Sequence, residues 1–291
     1  MRILICGASG FIGRHLCKAL SEAGHDVVRG VRKPLDAGEI GMDYRLDTQA
    51  ETWLPRLADV EAVINAVGVL RDTPDTPMDP IHSNAPQALF SACATVGIKQ
   101  VVHISALGVG SSMRNRYFST RQEAEKHLRS LSPRLKALIL RPSLIYGEDG
   151  ASARLFRTLA ALPLHPLPSG GGQVLRPVHI DDIAEAVARW LGDPTATTLT
   201  VAAVGHEETT LRGMLDSYRS QQDRPPARRL SIPRALMRTA ARLGDHFPSS
   251  LLCSETLDML EAGNTADDGE FSRLLGRPPR AYRDFLQTPK A

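Results

Sequence analysis

A glycine-rich turn, Gly7-Ala8-Ser9-Gly10-Phe11-Ile12-Gly13, follows the apolar run Ile3-Leu4-Ile5 and precedes the amphipathic segment Arg14 to Leu20. Glycines three apart between a strand and a helix permit a tight turn and leave the first helix amides free for a pyrophosphate. A glycine-rich stretch alone is a weak signal. In the order strand, turn, helix and second strand it becomes a strong one for dinucleotide binding. The residues expected to line this cradle are Gly7, Ser9, Gly10, Phe11, Ile12 and Gly13.

The order extends along the chain. Strand-like apolar runs recur at Ile3 to Cys6, Asp26 to Val31, Ala62 to Ala66, Val101 to Ser105 and Ala137 to Leu140, with helical segments between them. That alternation predicts an α/β fold, a Rossmann-type doubly wound parallel sheet whose sites lie outside the carboxyl ends of its strands. After Pro142 the pattern loosens. Leu162 to Gly172, rich in proline and glycine, reads as a loop capping the site. Asp181-Asp182 opens a helix over Ile183 to Leu191, Leu199 to Ala202 forms a short strand, and the chain from about Thr209 reads as helical. The expected division is a dinucleotide-binding domain over residues 1–204, with a lobe-forming insertion at about 151–175, and a smaller, mainly helical C-terminal lobe over 205–291 for substrate or partner.

Bulk properties narrow the function classes. A chain of 291 residues that is 42% hydrophobic can bury one large α/β core with an appended lobe. No segment reaches the roughly 18 consecutive apolar residues of a transmembrane span. Met1-Arg2-Ile3-Leu4 runs straight into the glycine turn without a signal-peptide cleavage site, so a cytoplasmic protein is expected. A net charge of +3 gives no argument for nucleic acid as a partner. Cys6, Cys17, Cys93 and Cys253 are scattered, with no CxxC pair and no histidine at zinc-ligand spacing. They read as free thiols, and no metal site is expected.

The strand ends supply further candidates. Sites that prefer NAD usually carry an acid at the end of the second strand, where it meets the ribose hydroxyls. Here that end reads Val28-Arg29-Gly30-Val31-Arg32-Lys33, without a carboxylate. Arg32 and Lys33 read as partners of a 2′-phosphate, the first by bidentate hydrogen bonds and the second as a point charge, or else as a solvated strand end. NADP(H) is therefore favoured over NAD(H). Asp47 falls where a third strand should end and reads as an acceptor for an adenine amino group or as a surface acid. In Asn65-Ala66-Val67-Gly68, the small residues Ala66, Val67 and Gly68 suit close passage of the backbone past ribose and phosphate, or a plain turn. Asn84 reads as orienting a water or helix beside the cofactor, or as an ordinary helix cap.

With these residues, Tyr117 followed by Arg121, the run Leu140-Arg141-Pro142-Ser143-Leu144-Ile145-Tyr146-Gly147 and the run Pro177-Val178-His179-Ile180-Asp181-Asp182, the chain resembles the extended and atypical short-chain dehydrogenase/reductases. The likeness, which takes in NAD-dependent epimerase/dehydratase proteins, covers most of the sequence. It is similar to the branch of the nucleotide-binding accessory subunit of respiratory complex I and its bacterial relatives, and Leu274-Leu275-Gly276-Arg277-Pro278-Pro279 supports that branch.

The resemblance implies a Ser-Tyr-Lys set in which Tyr and Lys, four apart, share a helix face. It places Tyr117 beside the nicotinamide and Arg121 at the position of the lysine, where it keeps the positive charge but cannot give up a proton. A tyrosine on this helix, Tyr117 to Leu131, also reads as a packing residue with a wet tip. The family's catalytic hydroxyl falls at Ala106. Ser105 is one residue away and faces elsewhere unless the strand has already ended. The catalytic candidates are thus Tyr117, Arg121 and Ser105, with Tyr117 and Arg121 also expected to touch the cofactor. Glu125 reads as an ion-pair partner of Arg121 on the helix face. His179, Asp181 and Asp182 read as a helix-start group and not as a metal site, and Ser143 and Tyr146 as lining of a nicotinamide pocket or as core.

In Pro233 to Leu243, Arg234, Arg238 and Arg242 recur every four residues while Leu236, Met237, Ala240 and Leu243 form an apolar side. The segment reads as a solvated amphipathic helix, or as a contact with an anionic membrane surface or a protein assembly. Three functions fit the whole sequence. The first is an NADP(H)-dependent oxidoreductase acting on a small carbonyl or quinone-like substrate. The second is a non-catalytic dinucleotide-binding redox sensor or assembly protein, and the third a nucleotide-sugar epimerase/dehydratase. No motif in 151–175 or 205–291 identifies the substrate.

Overall fold

Four successive residues, Ile3 to Cys6, are wholly buried in the first strand, β1 (Arg2–Cys6). A strand covered on both faces is what a parallel sheet between helices demands, and it explains a continuous apolar run in place of alternation. The structure is a computed structural model and describes residues 1–111, 115–132, 134–247 and 250–286. In chain order β1 is followed by α1 (Phe11–Glu22), β2 (Asp26–Val31), β3 (Glu39–Gly41), α2 (Ala50–Trp53), β4 (Ala62–Asn65), a π-helical turn (Asp79–Asn84), α3 (Ala85–Val96), β5 (Gln100–Ile104), α4 (Arg116–Ser130) and β6 (Lys136–Pro142). Then come β7 (Ile145–Tyr146), α5 (Ala151–Ala161), β8 (Leu164–Pro168), β9 (Val174–Leu175), β10 (Val178–His179), α6 (Ile180–Gly192) and β11 (Leu199–Ala203). The chain closes with β12 (Thr209–Thr210), α7 (Leu211–Ser220), β13 (Arg228–Ile232), α8 (Arg234–Gly244), α9 (Ser254–Glu261) and α10 (Gly269–Leu275).

The chain divides into two compact units, one of Met1–Pro142 with Ile183–Ala202, the other of Ser143–Asp182 with the residues from Ala203 onward. The chain crosses for the last time between Ala202 and Ala203, and residues 151–175 fall in the second unit. No helix among the described residues is long and apolar enough to cross a membrane.

The first unit holds a seven-stranded sheet in the order β11-β6-β5-β4-β1-β2-β3. From β1 the chain grows outward to β3 on one side, then returns to build β4, β5 and β6 on the other, all in parallel pairing. Such a reversal between β1 and β4 is where an α/β sheet opens a crevice beyond its carboxyl ends. The register aligns Gly30, Cys6, Asn65 and His103 in one row across four strands. The four strands end at this row or one residue past it, and the candidate residues Gly7, Ala66 and Ser105 follow directly on the ends of β1, β4 and β5. The doubly wound parallel architecture expected from the strand order is the one observed.

Packing fixes this row from below. Leu4, Val63 and Val101, on three neighbouring strands, share a cluster with Trp53 of α2, Leu89 and Phe90 of α3 and Leu128 of α4. Each such buried side chain contributes about 1.5–3 kcal/mol. The second unit has its own core, in which Tyr146, Leu167, Leu215, Tyr218 and Phe285 pack together. Cys6, Cys93 and Cys253 are buried and Cys17 half-buried, all as free thiols. Burial pushes the Cys6 thiol up to about 12.

Three elements differ from the sequence-based expectation. The third strand ends at Gly41, so Asp47 lies in the turn beyond it and not at a strand end. Leu164 to Pro168, expected as loop, is a strand that pairs with β13 in a two-stranded ribbon. Its prolines are tolerated because a strand paired on one side need not donate along the other. The region after Thr209 is not wholly helical, since β13 is a strand whose residues Arg228 to Ser231 are exposed and carry no apolar periodicity.

Candidate functional site

Gly7 leaves β1 with φ of 83°, a left-handed conformation that side chains disfavour. Its amide and that of Ala8 donate to the carbonyl of Gly30 at 3.0 and 3.1 Å, which ties the turn to the end of β2. The Gly10 amide donates back to the Gly7 carbonyl at 2.9 Å. A Cβ on Gly13 would stand 2.1 Å from that same carbonyl oxygen, so α1 can approach the strand this closely only with glycine there. Helix α1 begins at Phe11 with Gly10 as an extended N-cap, without a side-chain cap and without an acid in its first turn. Helix-start amides with no side-chain acceptor, at the positive end of the helix dipole, suit an anionic group such as a pyrophosphate. Ser9 and Gly10 are exposed on this turn, and Phe11 and Ile12 are half-buried.

Arg32 and Lys33 follow directly on β2 and are exposed, just beyond the strand residue that receives the glycine turn. Arg32 lies within electrostatic reach of Asp43, whose carboxyl is held below the usual range first of all by its hydrogen bond from Arg45. Asp47 is buried, accepting from the Asp43 amide at 2.6 Å and from both terminal nitrogens of Arg56 at 2.7 and 3.2 Å. Its carboxylate thus organises the turn after β3, a role the sequence reading did not foresee.

At the end of β4, Asn65 is fully buried and its Oδ1 accepts from the Tyr44 hydroxyl and from the Val67 amide, both at 3.1 Å. This shapes the turn Ala66-Val67-Gly68 against the glycine loop, where a Cβ on Gly7 would meet the Ala66 backbone at 3.2 Å and the Val67 side chain at 3.0 Å. A Cβ on Gly68 would lie 2.3 Å from Nη2 of Arg121. The two candidate groups, turn and helix, are therefore in contact.

Helix α4 starts at an asparagine cap, with Asn115 Oδ1 accepting from the Phe118 amide. One turn of it carries Tyr117 and Arg121, both buried. The guanidinium carbon of Arg121 lies 4.7 Å from the centre of the Tyr117 ring, and Nη1 donates to the Ile104 carbonyl at 3.1 Å. Nη2 is 3.5 Å from Nε2 of His82. His82 sits in the π-helical turn and packs edge-on against Tyr117. Its Nε2 accepts from the Val69 amide at 3.0 Å, so the ring proton belongs on Nδ1, which faces the Thr120 hydroxyl at 3.2 Å. Burial, reinforced by the Arg121 charge, holds this imidazole far below its ordinary pKa and therefore neutral. The sequence reading named Asn84 in this turn; Asn84 is exposed, and His82 is the residue that meets Tyr117 and Arg121. A histidine three residues before the start of α3 was the available signal.

Ser105 directs its hydroxyl to Glu125, donating to Oε1 at 2.6 Å. Glu125 is fully buried, and Arg141 and Arg129 both pair with it. The expected partner of Glu125 was Arg121, one turn back; instead it pairs with Arg129, one turn forward, and with Arg141 from β6. Burial would raise the Glu125 carboxyl, but hydrogen bonds from Arg141 and Ser105 outweigh it and leave the group below its usual range. Ala106, next to Ser105 in the chain, is buried.

In the second unit, Asp182 is fully buried and accepts from Arg277 Nη2 and from the Arg280 amide, both at 2.7 Å, while Asp181 accepts from Arg280 Nη1 at 2.6 Å. These acids secure the C-terminal segment. Tyr146 stacks on Phe285 at 4.9 Å within the second core, and Ser143 donates to the Arg176 carbonyl.

Residues 3–202 match the NAD dependent epimerase/dehydratase family, a span that includes the glycine turn, Tyr117, Arg121 and most of the first unit. The chain belongs to the NAD dependent epimerase/dehydratase family. It is 26% identical over 214 residues to the NADH dehydrogenase [ubiquinone] 1 alpha subcomplex subunit 9 of Mus musculus, an alignment covering 69% of this chain and 56% of that protein. The chain thus spans little more than half the length of that relative. It is 24% identical over 260 residues to a ceramide reductase of Caulobacter vibrioides, covering 85% and 78% of the two. Among solved structures, UDP-glucuronic acid 4-epimerase from Bacillus cereus, in complex with UDP-glucuronic acid and NAD, superposes with a TM-score of 0.72 at 19% identity, covering 99% of this chain and 97% of that one. A nucleoside-diphosphate-sugar epimerase from Staphylococcus aureus gives 0.77 at 14% identity, covering 99% and 100%. At these identities the epimerase/dehydratase structures establish the shared fold.

Proposed function

We propose that the protein is a cytoplasmic NADP(H)-dependent oxidoreductase of the atypical short-chain type, acting on a small carbonyl or quinone-like substrate. The observation that carries this reading is the Arg121 guanidinium 4.7 Å from the Tyr117 ring, in the same unit as the glycine turn and touching Gly68. When bound, the nicotinamide gives or takes a hydride. The chain's own work is to hold and move the proton. Tyr117 would pass a proton to or from the substrate oxygen, and Arg121 would place a permanent positive charge beside the phenol as negative charge develops. Arg121 cannot itself relay that proton, because guanidinium does not deprotonate in proteins.

Arg32 and Lys33 support the choice of NADP(H): the end of β2 offers two exposed cations and no carboxylate of its own to a ribose. The family to which the chain belongs is NAD dependent, so NAD(H) is the alternative cofactor. Ser105, with its hydroxyl on Glu125, would act as a positioning residue for the end of β5. Substrate choice would fall to the second unit.

That same Ser105–Glu125 hydrogen bond, with alanine at position 106, favours a second reading. Without a free hydroxyl and with arginine for lysine, the protein would bind a dinucleotide without turnover, as a redox sensor or as a part of an assembly, the setting named for its complex I relative. A nucleotide-sugar epimerase/dehydratase is the third, supported by the structural likeness alone. The test is NADPH oxidation against panels of aldehydes, quinones and nucleotide sugars, with Tyr117→Phe alongside. The oxidoreductase reading expects turnover on one of the first two panels and a loss of about 100-fold or more in Tyr117→Phe with cofactor affinity retained. Binding without turnover on any panel would move the second reading ahead.

A further inference from the structure

Arg121 is a buried cation without an acid of its own. It is 6% exposed, and among the described residues no carboxylate forms an ion pair with it. Nη1 donates to the Ile104 carbonyl, Nη2 faces the Nε2 of His82 that already accepts from the Val69 amide, and Nε has no hydrogen-bond partner. The protein leaves a charge placed in this way uncompensated. The groups around it do not alter that. His82 from the π-helical turn and His103 from β5 are held neutral by burial, and Arg121 is the charge that bears most on each. Glu125, one turn along α4, is already shared by Arg129 and Arg141. Asp72 and Asp79, 29% and 52% exposed, are taken by Arg116, and Glu123 accepts from the Ser83 hydroxyl.

A fixed positive charge tells the two forms of a nicotinamide apart. The oxidised ring carries a unit positive charge, and taking up a hydride makes it neutral. Adenosine, ribose and phosphates are the same in both forms and cancel from the comparison. A cation close to the ring therefore disfavours the oxidised form alone, by like-charge repulsion that a buried setting screens only in part. Arg121 reaches the turn after β4, where a Cβ on Gly68 would stand 2.3 Å from its Nη2.

We propose that the uncompensated guanidinium of Arg121 makes the site selective for the reduced dinucleotide, so that NADPH binds more tightly than NADP⁺. This selectivity rests on the oxidoreductase reading only in placing the nicotinamide beside Tyr117, and it holds equally for binding without turnover. A tenfold preference corresponds to a rise of about 30 mV in the potential of the bound couple. The reduced form is then the one that stays bound, and the oxidised form the one more readily released.

The test is a pair of titrations of the full chain at neutral pH and fixed ionic strength, NADPH followed by its fluorescence and NADP⁺ by its displacement of NADPH. The parent should bind NADPH at least about tenfold more tightly, as two like unit charges in a partly screened site allow. Arg121→Gln, which keeps a donor for the Ile104 carbonyl, should bind NADP⁺ more tightly than the parent does and cut the preference at least about fivefold. A site that was merely damaged would lose affinity for both forms. Arg121→Lys, still cationic, and Tyr117→Phe should keep the preference. Equal affinities in the parent, or an unchanged preference in Arg121→Gln, would overturn the proposal and leave the dinucleotide site standing. Loss of the preference in Tyr117→Phe would also overturn it and give the selection to the phenol. Absence of binding by both forms would contradict the dinucleotide site itself, and the selectivity with it.

Discussion

The guanidinium of Arg121 lies over the ring of Tyr117, 4.7 Å from its centre, while one of its nitrogens caps the end of β5 through the Ile104 carbonyl. Both contacts need a flat, branched cation. An ammonium on a flexible stem can make one of them at a time. Arg121→Lys should therefore lower stability by about 1–2 kcal/mol through the weakened buried hydrogen bond and reduce turnover about tenfold or more, with NADPH affinity nearly unchanged. Urea unfolding and steady-state kinetics check the two parts separately.

The glycine turn makes a sharper steric prediction. Gly13→Ala places a methyl group 2.1 Å from the Gly7 carbonyl, and backbone must move to relieve it. The expected cost is about 3 kcal/mol, the upper end for overpacking, together with loss of dinucleotide binding. Gly38→Ala, where a Cβ meets nothing within 4 Å, is the control and should stay within about 0.5 kcal/mol of the parent in urea unfolding.

Ser105→Ala separates support from chemistry. Its hydroxyl donates to the buried Glu125 carboxylate, so removal should cost about 1.5–3 kcal/mol of stability, the range for a hydrogen bond to a charged group. NADPH affinity should not change, and residual turnover should track the folded fraction. A fall of several orders of magnitude in turnover at full folding would return Ser105 to the catalytic group.

His82 and His103 give the fold a pH dependence. Burial lowers both imidazoles, with the Arg121 charge adding to it, so that the folded value is far below ordinary for His82 and about 3 for His103. As pH falls below about 6.5 the unfolded chain takes up these protons and the folded chain does not. The stability they contribute is complete above that pH and is lost as pH falls toward the folded values, at about 1.4 kcal/mol per pH unit for each residue. Urea midpoints measured from neutral pH down to pH 5 should show this slope, and His82→Gln should reduce it by one such increment.

Much of this was legible in the chain because it rests on local pattern. The strands around Ile3-Leu4-Ile5, Val27-Val28 and Val101-Val102 announce themselves because burial on both faces requires unbroken apolar runs. The glycine turn is legible because only glycine fits Gly7 and Gly13. What was missed depends on partners distant in sequence. Strand β3 is three residues of partly exposed side chains, and β8 holds two prolines that only its one-sided pairing with β13 permits. Glu125 could be matched with an arginine one turn away in either direction, and the choice was made by Arg141 on β6. His82 reaches Arg121 across 39 positions through a π-helical turn that no periodicity marks.

The most direct measurement is a titration of the purified protein with NADPH and with NADH, followed by nicotinamide fluorescence at fixed ionic strength. Saturable binding of NADPH is expected at least about tenfold tighter than of NADH, as charge-assisted contacts to one phosphate allow, with Arg32→Ala erasing the difference. If neither nucleotide binds to the folded protein, the glycine turn at Gly7 to Gly13 serves the fold alone and the dinucleotide site proposed for the first unit is contradicted.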